Sequence, residues 1–263
     1  MVVKSYLRLF YAYIKANLSS AMEYRISFIV QVVGMMLNNA CFIVFWWVLF
    51  QRFNSIGGYS FTDIMFIWAL ASSAYGFAFA IFANSRTLTN TIINGELDTY
   101  LLQPKDVFFS FIFGRTFVPS WGDLLYGYVL MGVIIKASLI QYLLFTLFII
   151  LGGTLITAVV MIAETLTFFL GNNNSLGRSW EELMSTFCIY PDSIFTNWVR
   201  WVIYSIMPAG FIVFIPRKIF FGFHWELLIG LVAIDILYIV FAYWFFNKGL
   251  KKYESGNLIT SRL

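Results

Sequence analysis

Residues 140–163 read IQYLLFTLFIILGGTLITAVVMIA, an apolar run without one charged side chain. A bilayer core about 30 Å thick is crossed by roughly 20 apolar residues of helix, so this run is long enough to span it. Residues 26–50, 61–83 and 227–246 meet the same measure. A further segment, 111–135, has the length but is interrupted by Pro119 and Asp123.

Composition agrees with lipid as the main solvent. Of 263 residues 60% are hydrophobic, 21% aromatic and only 11% charged, whereas a soluble domain carries roughly 25% charged residues. The fold class expected is all-α, a polytopic membrane protein with about six transmembrane helices. The net charge of +4 comes from basic residues placed at the edges of apolar segments. That placement is a signal of membrane topology rather than of nucleic-acid binding. Cys41 and Cys188 lie far apart, without the spacing of a metal site or a disulfide framework. The first apolar run follows Lys4, Arg8, Lys15 and Arg25 and exceeds a signal core of roughly 7–15 residues, so it is expected to remain attached.

Residues 171–223 admit two readings. Hydropathy favours 198–214 as the fifth of six spans, although it holds Pro208 and is followed by Pro216, Arg217 and Lys218. Alternatively 175–190 is the crossing and 191–223 a broken hairpin, which requires its backbone to be satisfied by neighbouring protein. Both readings put the two termini on one side. Assigning them to the cytoplasm keeps Lys4, Arg8, Lys15, Arg25, Arg86, Lys105, Arg115, Arg178, Lys248, Lys251, Lys252 and Arg262 inside. Arg52, Lys136, Arg200, Arg217 and Lys218 remain outside or in the hairpin.

Within residues 1–25, Tyr6, Leu9, Phe10, Tyr13 and Ile14 recur at helical spacing, with Lys4, Arg8 and Lys15 on the opposite face. This predicts an interfacial helix on the inner leaflet, in contact with membrane lipids. Residues 26–250 form the transmembrane part and 251–263 a cytoplasmic tail.

Few residues offer chemistry. The single histidine, His224, stands at the start of the last span, so no metal cluster or histidine-based catalytic arrangement can be assembled. There is no phosphate-binding loop, and any energy from ATP must arrive through another polypeptide. Asp123, Glu164 and Asp235 fall at or near membrane depth, where a carboxylate marks either a functional site or a hydrogen bond between helices. The segment Asn94-Gly95-Glu96-Leu97-Asp98-Thr99-Tyr100-Leu101-Leu102-Gln103-Pro104 places Ile93, Leu97, Tyr100 and Leu101 on one face and ends at a helix-stopping proline. A short amphipathic helix against the inner face of the membrane is predicted, with Gly95 either beginning it or permitting a close backbone approach.

The order of these features resembles the permease subunits of type-2 ABC exporters. Their second cytoplasmic segment follows Gly-x-Leu-Asp/Glu-x-x-Leu-Leu-x-Pro, matched by Gly95, Leu97, Asp98, Leu101, Leu102 and Pro104. The likeness covers essentially the whole chain and is closest to a branch in which two different permeases pair over one kind of ATPase. There the chain ends near Tyr-x-Ser-x-Gly, approached here by Tyr253-Glu254-Ser255-Gly256. The resemblance implies a coupling helix at about 88–104 that docks into an ABC ATPase subunit through Leu97 and Leu101. It also implies short re-entrant helices over 191–223, broken at Pro191, Pro208 and Pro216. ATP and Mg would be held by the partner ATPase and no cofactor by this chain, in a bacterial-type plasma membrane, beside an identical or homologous second permease. One departure is a short fifth helix carrying Arg178, Glu181 and Glu182. The rival readings are a proton-driven secondary transporter using Asp235 or Glu164, and a membrane enzyme acting on lipids.

Overall fold

The computed structural model describes residues 2–171 and 174–254, with only the backbone described at 2–5 and 174–175. The side chain of Lys4, the Ser255-Gly256 part of the C-terminal signature and most of the 251–263 tail lie outside the described residues. The regular structure among the described residues is helical, apart from one isolated bridge between Ile56 and Tyr59.

Helix α1 covers Val2–Ala21, α2 Arg25–Phe50 and α3 Phe61–Ile81. Short helices α4 (Leu88–Ile93), α5 (Asp98–Leu101) and α6 (Val107–Ile112) precede α7 (Pro119–Leu130), which continues as a π turn over Met131–Ile135. Then come α8 (Leu139–Thr165), α9 (Thr167–Leu170), α10 (Asn174–Ile189), α11 (Asn197–Ile203), α12 (Ile215–Phe221) and α13 (Trp225–Leu250). Among the described residues, four stretches are long and apolar enough to cross a membrane: α2, α3, the run Leu139–Leu170 and α13.

Local chemistry explains the boundaries. Ser60 caps α3 in a reciprocal box with Asp63, and Ser138 caps α8 with Gln141, each pair satisfying amide donors at the first turn. The expected span 111–135 is corrected at its start. Pro119 does not interrupt that helix but begins it, because a residue with fixed φ and no N–H fits the first helical position. Phe111 belongs instead to α6, and α7 with its π turn is correspondingly short.

Between 191 and 223 there is no continuous span over 198–214. A 3₁₀ turn at Asp192–Ile194 leads into α11, and a π turn at Gly210–Phe214 runs into α12. Pro191 caps the first turn and Pro216 enters the first turn of α12. Pro208 lies between α11 and the π turn, at a point where no helix continues. The segment is therefore broken into short helices, and protein groups hold it. Tyr238 of α13 donates to the Ser205 carbonyl. The Tyr59 and Tyr204 hydroxyls donate to the two carboxylate oxygens of Asp192 at 2.6 and 2.9 Å. Arg217 pairs with Asp63 at 2.7 Å, closing α12 onto the start of α3.

Helix α3 is the axis of the molecule. It is buried over most of its length and packs against α2, α7, α8, α10 and the π turn at Gly210–Phe214. Lipid provides no hydrophobic drive for helix association, so close packing and polar contacts must supply it. A Cβ on Gly76 would stand 2.8 Å from the Leu124 Cα of α7, so the two backbones meet where a side chain would be. Beside this contact, Asn39 of α2 donates to Asp123 of α7 at 2.6 Å, and Ser72 of α3 donates to the Asp123 carbonyl at 3.0 Å. Helices α2 and α13 keep large apolar side chains exposed, Ile26, Val30, Leu37, Ile229, Leu237 and Val240 among them.

Replacing Gly76 with Ala is expected to force α3 from α7 at an overpacking cost of about 1–3 kcal/mol. Gly34→Ala should be nearly neutral, since a Cβ there meets nothing within 4 Å. Thermal unfolding of both variants in detergent checks the contrast, and coincident melting curves would remove the close-approach account.

Candidate functional site

The segment after α3 folds in three steps. A 3₁₀ turn at Ala83–Thr87 leads into α4, a turn follows at Gly95, and α5 completes one helical turn. The single amphipathic helix expected through 93–101 is thus two short helices. Gly95 has φ 73°, and an added Cβ would meet nothing within 4 Å. Among the described residues, no backbone of this chain approaches it closely. Its place is the left-handed turn that closes α4 and lets α5 begin at Asp98.

The face expected to dock on a partner is also corrected. Leu97 is fully buried within this chain, in a cluster that includes Leu88, Ile92, Phe111 and Phe246, and Ile93 is half-buried. Leu101 is 43% exposed and Leu102 86%. Glu96 and Pro104 are exposed beside them. Tyr100 packs edge-on against Phe111 at 5.3 Å, and its hydroxyl accepts from Asn84 Nδ2 at 3.1 Å. Asp98 lies beside the Tyr253 hydroxyl, whose pKa burial and that carboxylate push up to about 12. The Tyr253 ring rests on Phe168, so the end of α13 closes over the same cluster.

Helix α1 braces the segment from another side. Tyr6 meets Phe109 at 5.7 Å and Phe10 meets Phe113 at 5.0 Å. The Tyr13 hydroxyl donates to Gln103 Oε1 at 3.3 Å, and Lys105 lies 5.2 Å from the Tyr6 ring centroid. Arg8 and Lys15 are exposed on the opposite face. The amphipathic pattern is therefore used, with its aromatic stripe packed on α6, Phe113 and Gln103.

Two acidic side chains fasten the segment to the long helices. Glu164, near the end of α8, accepts from the Thr89 backbone N–H at 2.9 Å in the first turn of α4, where a negative charge is favoured. Thr89 and Thr167 share a hydrogen bond of 2.6 Å. Arg86, in the turn before α4, grips Glu181 of α10 through two hydrogen bonds, one of them from Nε at 2.8 Å. Its guanidinium covers the Phe79 ring at 3.2 Å. A polar cavity of about 550 Å³ opens between these helices, lined by Arg86, Asn90, Glu164, Arg178, Glu181 and Glu182. The charges carried by α10 thus include the partner of Arg86. No sequence pattern marks that pairing, because the two residues stand in separate elements 95 positions apart.

The three carboxylates expected at membrane depth occupy separate settings. Asp123 joins α2, α3 and α7, and Glu164 holds α4. Asp235 is buried on α13, with Thr154 Oγ1 3.1 Å from both of its oxygens. They share no hydrogen-bond partner among the described residues. No three His, Cys, Asp or Glu side chains there are grouped as a metal site needs.

The sequence model of the ABC-2 family transporter proteins matches residues 9–257. The chain belongs to that family. No curated protein and no solved structure matches it. An ABC-2 chain is the membrane component of an ABC transporter, and the match takes in every helix from α2 to α13, the α4–α5 segment included. In this ABC-2 chain the segment is a packed platform, with apolar packing at Leu97, a cap from Glu164 and an ion pair to α10.

A double-mutant cycle on Arg86→Gln and Glu181→Gln should return a coupling of about 1–3 kcal/mol in detergent unfolding, as for a partly buried pair in direct contact. Additive effects of the two substitutions would show that the pair contributes no net coupling.

Proposed function

We propose that this ABC-2 chain is the permease subunit of an ATP-driven exporter and that α5 is its docking point for a separate ATPase. The observation that carries the reading is the pair Leu101 and Leu102, exposed at the tip of a platform whose other apolar residues are committed to the chain's own core. Burying a leucine contributes about 1.5–3 kcal/mol, so two adjacent ones suit an apolar cleft on a partner. ATP and Mg would sit on the ATPase subunits, with nothing hydrolysed by this chain.

Movement of the ATPase pair would reach the long helices by three routes: α4 to α8 through Glu164, the 3₁₀ turn to α10 through Arg86, and α5 to α13 through the Leu97 cluster. Rigid elements displaced in this way would reopen the path on the other side. The apolar faces of α2 and α13 suit lipid and a second permease, identical or homologous. The many aromatic side chains favour a lipid-like, amphipathic or peptide substrate over a small ion. The distribution of basic residues supports a cytoplasmic side for α1, the α4–α5 platform and both termini, and the family likeness supports a bacterial-type plasma membrane. The proton-driven alternative has less support, because Glu164 is engaged as a helix cap and Asp235 has Thr154 as its partner.

The pair Leu101→Asp with Leu102→Asp is expected to reach the membrane in normal amount while losing co-purification with an ATPase and losing export. Leu97→Asp should instead lower the yield of folded chain, since it puts a charge into an apolar cluster. ATP-dependent export by the Leu101/Leu102 variant at wild-type rate would end the docking assignment. For topology, single cysteines at Ser55 and Thr99 in a Cys41→Ala, Cys188→Ala background should react with an impermeant thiol reagent on intact cells at Ser55 only. Reaction at Thr99 only would invert the orientation.

A further inference from the structure

At the end of the bundle opposite α4–α5, Arg217 has a partner in the chain. Its guanidinium pairs with Asp63 at 2.7 Å and lies 4.4 Å from the Tyr59 ring centroid. Arg200 and Lys218 differ. Arg200, on α11, donates through Nε to the Asp192 backbone carbonyl at 2.8 Å, which fixes its direction. Its two terminal nitrogens make no hydrogen bond or ion pair among the described residues, and neither does Lys218 Nζ on α12. Both side chains nevertheless line one open groove of about 470 Å³, together with Asp192, Asn197, Trp201 and Tyr204.

The carboxylate of Asp192 does not pair with either cation. It accepts from the Tyr59 hydroxyl at 2.6 Å and from the Tyr204 hydroxyl at 2.9 Å. Two cations therefore share the groove with one carboxylate already engaged elsewhere, and the groove is net positive. Its depth is marked independently. Trp198 and Trp201 are 73% and 68% exposed on α11, and Trp225, 63% exposed, begins α13 at the start of the apolar run. Exposed indoles at the ends of spanning helices gather at the level of lipid headgroups.

We infer that the groove between α11 and α12 binds the phosphate of an anionic lipid headgroup. The free guanidinium nitrogens of Arg200 and the Lys218 ammonium are charge-assisted donors to phosphate oxygens, and the Asn197 amide supplies a neutral one. Trp201 and Tyr204 wall the groove against the headgroup's carbon atoms. A phosphate held there bridges α11 and α12, the two arms of the broken 191–223 segment. The site is independent of ATPase docking, and of which leaflet this end faces.

The full chain in detergent, purified with whatever ATPase accompanies it, is titrated with phosphatidylglycerol, and bound lipid is read by native mass spectrometry. Lys218→Gln is expected to weaken retention about fivefold, the effect of one basic residue near an anionic surface. Lys218→Arg should restore it, and diacylglycerol, which lacks the phosphate, should not compete. Arg200→Gln should weaken retention likewise. If loss of its bond to Asp192 lowers the yield of that variant, the Lys218 pair decides alone, because Lys218 supports nothing else by its side chain. Retention by Lys218→Gln equal to wild type overturns the site, and so does displacement of the lipid by inorganic phosphate at equal concentration, which would mark a site for a free anion.

Discussion

Helix α3 meets α7 at Gly76 with backbone against backbone, and the other long helices are arranged around that line. In a bilayer, burying leucine against leucine gains little over leaving it in lipid, so association depends on van der Waals fit and on polar groups that have nowhere else to bond. Asn39, Ser72 and Asp123 provide the second kind of contact beside Gly76. With α3 held on several sides, its two ends become fixed points, one bonded to the α11–α12 segment and the other continuing into the α4–α5 platform.

The two ends are built differently. At the platform end, short helices would each be marginal alone, since one or two turns cannot recover the cost of nucleation. They persist because Leu97 and Ile92 are packed under the chain and because Glu164 satisfies an amide at the start of α4. At the opposite end the chain is broken near prolines and side chains hold it: Arg200 donates to the Asp192 carbonyl, Tyr238 to the Ser205 carbonyl, and the Tyr59 and Tyr204 hydroxyls to the Asp192 carboxylate. Irregular backbone in a membrane protein survives where protein satisfies it, and Arg200 and Tyr238 do so for these two carbonyls.

Polar residues at depth have settings that separate them from a relay. Asp123, Glu164 and Asp235 each bind a different neighbour, and the ion pair of Arg86 with Glu181 joins elements far apart in the chain. Each therefore reads as a fastening between helices. Groups that fasten two helices also convey displacement from one to the other, which gives the platform its mechanical link to α8 and α10.

The sequence alone determined the long apolar helices, the helical first segment and the place of the α4–α5 segment, whereas the breaks at Pro191, Pro208 and Pro216 followed from the resemblance to type-2 ABC permeases. Each of the first three rests on a property carried by neighbouring residues: apolar length, helical period or a missing amide. Family membership was legible for the same reason, as an order of local features. Which leucine faces outward was not. Leu97 and Leu101 share a face by spacing, but only the tertiary structure covers Leu97 with Phe111 and Phe246 and leaves Leu102 bare. The start of α7 at Pro119, the pairing of Arg86 with Glu181 and the convergence of Arg200 with Lys218 were likewise decided by packing. Residues distant in the chain meet only when helices are placed side by side, and no local period encodes which faces will touch.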